Sequence, residues 1–143
     1  MLKVTNKTYY GLKAVIELAL KNNGKTLRVN EIAKNQGISL RFLEIILNEL
    51  KHEGLVKSKR GPEGGYMLAL APDEITLMKI LDALEKPFVK KMPEMNNCFG
   101  DFALNQLWNN LEVCIMEFLT QVTIKDLVEV ENKEAKKALN YFI

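Results

Sequence analysis

The sequence predicts a mostly α-helical chain with one small β-hairpin, and three stretches carry that prediction. Apolar residues recur at steps of three and four between Ser39 and Gly54, which indicates an amphipathic helix. Residues 55–70 alternate apolar and polar side chains around a glycine-rich turn, as a hairpin does. A second apolar repeat, between residues 101 and 122, is too long for a small core to cover. The expected fold class is therefore a winged helix-turn-helix domain plus a long dimerisation helix.

The composition is that of an ordinary globular protein. The chain has 143 residues, of which 48% are hydrophobic and 27% are charged. No run of about 18 apolar residues occurs, so we expect no transmembrane helix and no membrane partner. The N-terminus lacks the apolar core of a signal peptide, which predicts a cytoplasmic location. Two cysteines do not make the disulfide framework of a secreted protein.

The charge is unevenly divided along the chain. Residues 1–70 carry 12 Lys and Arg against 6 Asp and Glu, a net charge of +6. Residues 71–143 carry 8 against 12, a net charge of −4. A basic N-terminal half suits a nucleic-acid-binding domain, and an acidic C-terminal half suits a partner or dimer region.

Capping residues and apolar spacing place the other N-terminal elements. Thr5 or Asn6 opens a first helix that runs to about Asn22, with a buried stripe of Tyr9, Leu12, Val15, Ile16 and Ala19. Residues 27–29 are expected to edge the hairpin. A second helix, residues 30–36, turns into the Ser39–Glu53 helix, which is capped by Ser39 and stopped by Gly54. Thr76 caps a fourth helix at residues 77–84.

A helix-turn-helix followed at once by a basic-tipped hairpin is the pattern of a protein that binds duplex DNA. The helix would lie in the major groove while the hairpin, or wing, reaches a neighbouring groove. Arg41 can donate two hydrogen bonds to guanine, and Glu44 can accept one from the amino group of cytosine. Arg60 at the wing tip suits a narrow minor groove, and Lys57 and Lys59 suit phosphates. The alternative for Arg41 and Glu44 is a solvated surface charge.

Several motifs together resemble a known family. They are Gly37-Ile-Ser-Leu40, Phe42-Leu-Glu44, Gly54-Leu-Val56, Arg60-Gly-Pro-Glu-Gly-Gly-Tyr66 and the opening Val4-Thr-Asn-Lys-Thr-Tyr-Tyr-Gly-Leu-Lys-Ala14. Over roughly residues 1–130 the chain resembles the IscR/NsrR/CymR (Rrf-type) family of bacterial winged-helix transcription regulators. The wing sequence is the most specific of these motifs.

The resemblance adds residues to the predicted DNA interface. It implies that Thr5, Lys7 and Tyr10 lie along the DNA backbone, although Tyr10 is also a candidate core aromatic. It implies a groove-facing position for Ser39. The full predicted set is Thr5, Lys7, Tyr10, Ser39, Arg41, Glu44, Lys57, Lys59, Arg60, Gly61, Pro62, Gly64, Gly65 and Tyr66.

The long apolar repeat predicts a homodimer. It is a near-heptad stripe made of Leu104, Leu107, Trp108, Leu111, Ile115, Phe118, Leu119 and Val122. Two copies would read the half-sites of a palindromic operator about 34–36 Å apart, or at another spacing of whole helical turns. The predicted division is a winged-helix domain at 1–85, a sensor loop at 86–101, and a dimerisation helix with C-terminal tail at 102–143. The tail is expected to hold a short helix from Thr123 to Val128, followed by a docked or frayed end.

The cysteines separate this chain from part of that family. Family members with an iron–sulfur cluster hold three closely spaced cysteines before the long helix, often with a histidine. Here only Cys98 lies there, while Phe102 and Asn105 stand at the cysteine and histidine positions and His52 is distant. The resemblance is therefore to a cluster-free variant; no cofactor and no metal are predicted, and an iron–sulfur cluster is disfavoured. Cys114 is expected to be buried on the long helix.

The function predicted from the sequence is a homodimeric DNA-binding transcription regulator, a repressor, controlled by a signal in region 86–119. The resemblance implies a protein partner, a cysteine-biosynthetic enzyme, as the leading signal. One alternative is a redox or iron–sulfur sensor that uses Cys98, against which stands a loop thiol without a role. Another is a winged-helix interaction module that docks a metabolic enzyme. No catalytic constellation occurs, so an enzyme is not expected.

Overall fold

The computed structural model describes residues 4–21, 24–86 and 98–142, and it confirms the predicted fold class. The helices are α1 (Asn6–Leu20), α2 (Val29–Gln36), α3 (Leu40–His52), α4 (Leu77–Leu84), α5 (Asp101–Gln121) and α6 (Ile124–Phe142). The strands β1 (Val56–Lys59) and β2 (Gly65–Leu68) form an antiparallel pair, and a 3-10 turn spans Pro72–Glu74. Residues 87–97 of the predicted sensor loop lie outside the described residues.

Helix α1 lies at the centre of the core, and its buried face differs from the predicted one. Thr5 caps the helix by accepting a hydrogen bond from the Thr8 N–H. The buried face includes Gly11, where an added Cβ would lie 2.4 Å from Leu84 Cδ1. Tyr9, predicted to be buried, is exposed beside the Lys13 ammonium. The apolar pattern did not reveal this face because α1 lies closest to α4 at Gly11, where a glycine is required and a large side chain does not fit.

Helices α2 and α3 form the predicted helix-turn-helix. Gly37 ends α2 in the left-handed conformation, with φ of 65°. The Ser39 hydroxyl then accepts the Phe42 N–H at the start of α3. One face of α3 is buried in the core, as predicted, and consists of Leu43, Ile46, Leu47 and Leu50. The opposite face of α3 is left to solvent.

The wing is the β1–β2 hairpin, in which Val56 pairs with Leu68 and Lys59 pairs with Gly65. Leu27 joins the hairpin as an isolated bridge to Tyr66, in agreement with the predicted edge at residues 27–29. The hairpin is thus held on the side of β2 by the chain that leads directly into α2.

The C-terminal helices are attached to the winged-helix core at one end. Ile124 is fully buried in the same core cluster as α1 and α3, and its N–H donates to the Ile75 carbonyl at 2.9 Å. Helix α6 packs against α1 and then continues to Phe142, well beyond the short helix predicted to end at Val128. Its second half is rich in Lys, Glu and Ala, which favour helix, so no breaker stops it.

Candidate nucleic-acid interface

The outward face of α3 carries the two predicted base-reading residues. Arg41 and Glu44 are both exposed because they lie between the buried positions of the helix. Ser39 is exposed at the start of the same face. Its oxygen caps the helix, but its O–H can still donate to a base or phosphate. These three side chains therefore share a surface that a major groove can approach.

Two apolar residues on this face were missed by the sequence analysis. Leu40 is 44% exposed and Ile45 is 47% exposed. An exposed methyl-bearing side chain on a recognition helix can contact the thymine methyl group. The sequence could have revealed them, because Leu40 and Ile45 lie outside the buried repeat formed by Leu43, Ile46 and Leu47. We therefore add Leu40 and Ile45 to the candidate interface.

The wing lies close to α3. Burial raises the pKa of the Tyr66 phenol, and the nearby carboxylate of Glu44 raises it further. Tyr66 is therefore a neutral hydrogen-bond donor near pH 7. The geometry shows the same closeness, because α3 packs against β1 and Lys51 Nζ near the end of α3 donates to Ser58 Oγ of β1 at 2.6 Å. The helix and the wing therefore belong to one continuous surface.

The wing tip combines exposed basic groups with a close backbone turn. Lys57, Lys59 and Arg60 are exposed, as are Gly61 and Pro62. At Gly64 an added Cβ would lie 2.7 Å from the carbonyl oxygens of Lys59 and Gly61, so only glycine fits there. The glycines thus shape the tip, while the lysines and Arg60 supply its charge.

The predicted contacts at the start of α1 also have partners within the protein. The Thr5 hydroxyl donates to the Glu85 carboxylate. Lys7 Nζ lies 2.9 Å from Glu49 Oε2 of α3. Tyr10 is half-buried, with its ring edge-on to Phe42 at a centroid distance of 6.1 Å. Their role along the DNA backbone stays a prediction, and both interpretations of Tyr10 stay open.

The end of α4 is linked to both α1 and α3. The Glu85 carboxylate accepts hydrogen bonds from the N–H and hydroxyl of Thr5 and from the buried hydroxyl of Thr8. Lys86 pairs with Glu53 at the end of α3, and this hydrogen bond lowers the pKa of Glu53. The residues directly before segment 87–97 therefore contact α1 on one side and the recognition helix on the other.

The pKa of Glu85 predicts a pH-dependent contribution to stability. Burial raises this pKa, but the hydrogen bonds from Thr5 and Thr8 and the charge of Lys7 lower it more, and it ends below its ordinary value. The stabilisation is present above the unfolded pKa of about 4.3 and is lost as the pH falls through the folded value. We expect Glu85→Gln to lower the free energy of unfolding at neutral pH and to match the wild type in strong acid.

Urea unfolding of both proteins across this pH range measures the effect. Asp82→Asn removes a carboxylate from the exposed side of the same helix and is the matched control. The stability difference between the wild type and Glu85→Gln should disappear in strong acid. If it persists there, the charge of the Glu85 carboxylate is not the source of the stabilisation.

Helix α5 carries an apolar surface that the described part of its own chain leaves open. We call the exposed part of the predicted stripe the α5 face; it consists of Leu104, Leu107, Trp108, Leu111 and Phe118. Ile115 and Val122 are half-buried. Leu119 is 7% exposed and packs within its own chain, so we assign it to the core instead of the partner-facing surface. Cys114, expected to be buried, is exposed.

The two thiols of this chain do not fit one iron–sulfur cluster within a single chain. Cys98 lies just before α5, where its N–H donates to the Asp101 carboxylate at 2.9 Å. Cys114 lies about 20 Å along the helix axis from Asp101, at a rise of about 1.5 Å per residue. The described residues hold no group of three or more His, Cys, Asp or Glu placed to bind a metal. The sequence of 87–97 adds no cysteine or histidine.

The sequence of this chain is similar to those of known proteins. Residues 4–130 match the Rrf2 family, described as an iron-dependent transcriptional regulator. The chain belongs to the Rrf2 family. The HTH-type transcriptional regulator IscR of Sodalis glossinidius is 34% identical over 91% of this chain and 81% of its own length. The match confirms the predicted resemblance.

Solved Rrf2-type structures share the fold. CymR, the global cysteine regulator of B. subtilis, has a TM-score of 0.81 and 35% identity, covering 91% of this chain and 98% of its own. IscR of T. potens has a TM-score of 0.74 and 32% identity, covering 96% and 90%. These proteins are regulators rather than enzymes, as predicted, and this chain is a DNA-binding transcription regulator. None of its described helices is long and apolar enough to cross a membrane.

Proposed function

We propose that the chain is a homodimeric repressor that binds a palindromic operator. The observation that carries this proposal is the single surface formed by the outward face of α3 and the adjacent wing. Helix α3 enters the major groove, where Arg41 and Glu44 contact base edges and Ile45 contacts a thymine methyl. Arg60 then reaches into the neighbouring minor groove. Lys57 and Lys59 contact phosphates and contribute affinity without base preference.

The α5 face supports the dimer in this proposal. Its five large apolar side chains follow the near-heptad stripe of one helix and are exposed in the single chain. A contiguous apolar surface of this kind marks an interaction site. A second copy covers it and brings a second α3 to the other half-site. A repressor of this form gains its specificity from two half-sites held at one spacing.

A signal in region 86–119 acts, in this proposal, on the angle between the two recognition helices. Glu85 and Lys86 supply the physical link, because they hold the end of α4 to Thr5 and Thr8 of α1 and to Glu53 of α3. Any displacement at this point changes contacts on both helices. By resemblance the signal is a cysteine-biosynthetic enzyme, and oxidation of the exposed Cys98 thiol is the second candidate.

Binding to the protein's own promoter region, measured against salt, tests the function. Several Lys and Arg contacts to phosphate make the affinity fall steeply from low to physiological salt. A flat salt response or absence of binding would favour the alternative, a winged-helix module that docks a metabolic enzyme. A footprint with two equivalent half-sites would support the palindrome and the dimer.

Glu44→Ala is expected to relax base preference at one position in each half-site by about 1–3 kcal/mol. The loss of its carboxylate removes an acceptor for cytosine. The measurement is competition binding with every base pair substituted at each half-site position. Glu129→Ala removes an exposed carboxylate from α6 and serves as the matched control. An unchanged preference in Glu44→Ala would show that this residue does not read a base.

A further inference from the structure

The tip of the wing is held by two side chains from a different part of the chain. Thr26 Oγ1 donates to the carbonyl oxygen of Glu63 at 2.6 Å. Arg28 Nη2 donates to the carbonyl oxygen of Pro62 at 2.8 Å. Both acceptors lie between the two strands, beyond the last β1–β2 pair, and both donors lie just before α2. We call residues 26–28 the wing brace.

The residue between these two donors fixes the backbone of the wing as well. The Leu27 N–H donates to the Tyr66 carbonyl at 2.9 Å, and the Tyr66 N–H donates to the Leu27 carbonyl at 2.7 Å. At Gly65 an added Cβ would lie 2.4 Å from the Leu27 carbonyl oxygen. The wing brace therefore contacts the wing at Pro62, Glu63, Gly65 and Tyr66, with no room for a side chain at the closest approach.

Among the described residues, few other contacts fix the direction of the wing tip. Regular pairing between β1 and β2 stops at Lys59 and Gly65, and a two-stranded ribbon is marginally stable by itself. The wing brace leads into α2 at Val29, and α2 leads through Gly37 into α3. Through this short path the position of the tip is tied to the position of the recognition helix.

We propose that Thr26 and Arg28 are positioning residues for DNA recognition. They hold the tip at the distance from α3 at which Arg60 reaches the minor groove while α3 occupies the major groove. This inference rests on the proposed function of Arg60. It assigns Thr26 and Arg28 an effect on operator binding without direct contact to a base, because Thr26 Oγ1 and Arg28 Nη2 donate to wing carbonyls.

Thr26→Val is the decisive variant because it removes the hydroxyl donor and preserves the shape and charge of the side chain. We expect it to weaken operator binding about fivefold, the effect of one net hydrogen bond. The slope of affinity against salt should stay the same, since no charge is lost. Thr26→Ser keeps the donor and should restore wild-type affinity. In the free protein, the amides of Gly64 and Gly65 should exchange hydrogen faster in Thr26→Val than in the wild type, and at the wild-type rate in Thr26→Ser.

A double-mutant cycle with Arg60→Ala separates positioning from general stability. Arg60→Ala alone should weaken binding, and Thr26→Val should then have almost no further effect. An equal loss in the Arg60→Ala background would overturn the inference, because Thr26 would then act by another route. Wild-type affinity together with unchanged exchange in Thr26→Val would also overturn it.

Arg28 requires its own test because it is charged. Arg28→Gln should weaken operator binding, with an unchanged salt slope and with no additional effect after Arg60→Ala. If the slope of log affinity against log salt falls by about the value for one phosphate contact, the positioning role is overturned and Arg28 is a phosphate ligand. If the wild-type chain does not bind duplex DNA, the proposed function fails and this inference fails with it. If the wild type binds the operator and the Thr26 and Arg28 variants bind it equally well, this inference fails while the proposed function stands.

Discussion

The double replacement Leu107→Asp and Leu111→Asp is expected to produce a folded monomer with operator affinity lowered by at least about a hundredfold. The two side chains lie one turn apart on the α5 face and are 55% and 46% exposed in the single chain. Because neither is part of the core, the fold should survive. Burying two unpaired carboxylates against a second copy is strongly unfavourable, so the dimer should not form.

The affinity loss follows from the geometry of two half-sites. In a dimer the second recognition helix binds at a high effective concentration once the first is bound, which adds about two to four orders of magnitude to the affinity. A monomer loses that gain even if every contact of its own α3 is intact. Sedimentation measures the oligomeric state, and titration with intact and half operators measures binding.

Leu20→Asp provides a matched control for this experiment. Leu20 lies at the end of α1 and is also partly exposed, but it is outside the α5 face. We expect it to leave the dimer and the operator affinity unchanged. A Leu107→Asp and Leu111→Asp protein that remains dimeric, or a wild-type protein that is monomeric and binds a full operator tightly, would remove the α5 face from the proposal.

The prediction of α3 succeeded because one core covers one side of that helix. Its buried positions recur with the helical period, and its ends are marked by Ser39 and Gly54. Helix α1 has neighbours on several sides, including α3, α4 and α6, so its partly and fully buried residues extend around most of it. A single apolar stripe was therefore the wrong description, and Tyr9 was assigned to the wrong side.

The C-terminal half shows what periodicity alone cannot separate. Leu119 and Phe118 occupy adjacent positions of the same apolar repeat, yet one is buried in its own chain and the other is exposed. The difference depends on where α5 meets α4, which no local pattern encodes. Cys114 is exposed for the same reason, because its side of the helix has no neighbour among the described residues of the chain.

The candidate interface was predictable in its charged and glycine-rich parts. Arg60 and the wing glycines form a motif, so their place in the hairpin could be expected. An edge at residues 27–29 was expected, but the side-chain bonds of the wing brace were not, because Thr26 and Arg28 donate to backbone carbonyls of Glu63 and Pro62 that lie 37 and 34 residues away. Every residue has a carbonyl, so such a bond leaves no trace in the choice of the accepting residue.

Adjacent isoleucines on α3 provide a direct test of the boundary between core and interface. Ile46 is fully buried, whereas Ile45 is 47% exposed. We expect Ile46→Ala to lower the free energy of unfolding by about 2–5 kcal/mol, because it removes apolar contacts and leaves a cavity between α3 and α1. We expect Ile45→Ala to change stability by less than about 0.5 kcal/mol, since its side chain makes fewer contacts in the free protein.

The order of the two variants should reverse when DNA binding is measured, with the larger effect now in Ile45→Ala. Ile45→Ala should lower operator affinity and lose preference for thymine over uracil at one position per half-site, because uracil lacks the methyl group that Ile45 contacts. Ile46→Ala, measured on folded protein at low temperature, should retain that preference. Unfolding must be compared at one protein concentration, since dimer stability depends on it. Equal destabilisation by both variants would mean that the outward face of α3 is covered by protein, and such a face cannot enter a groove.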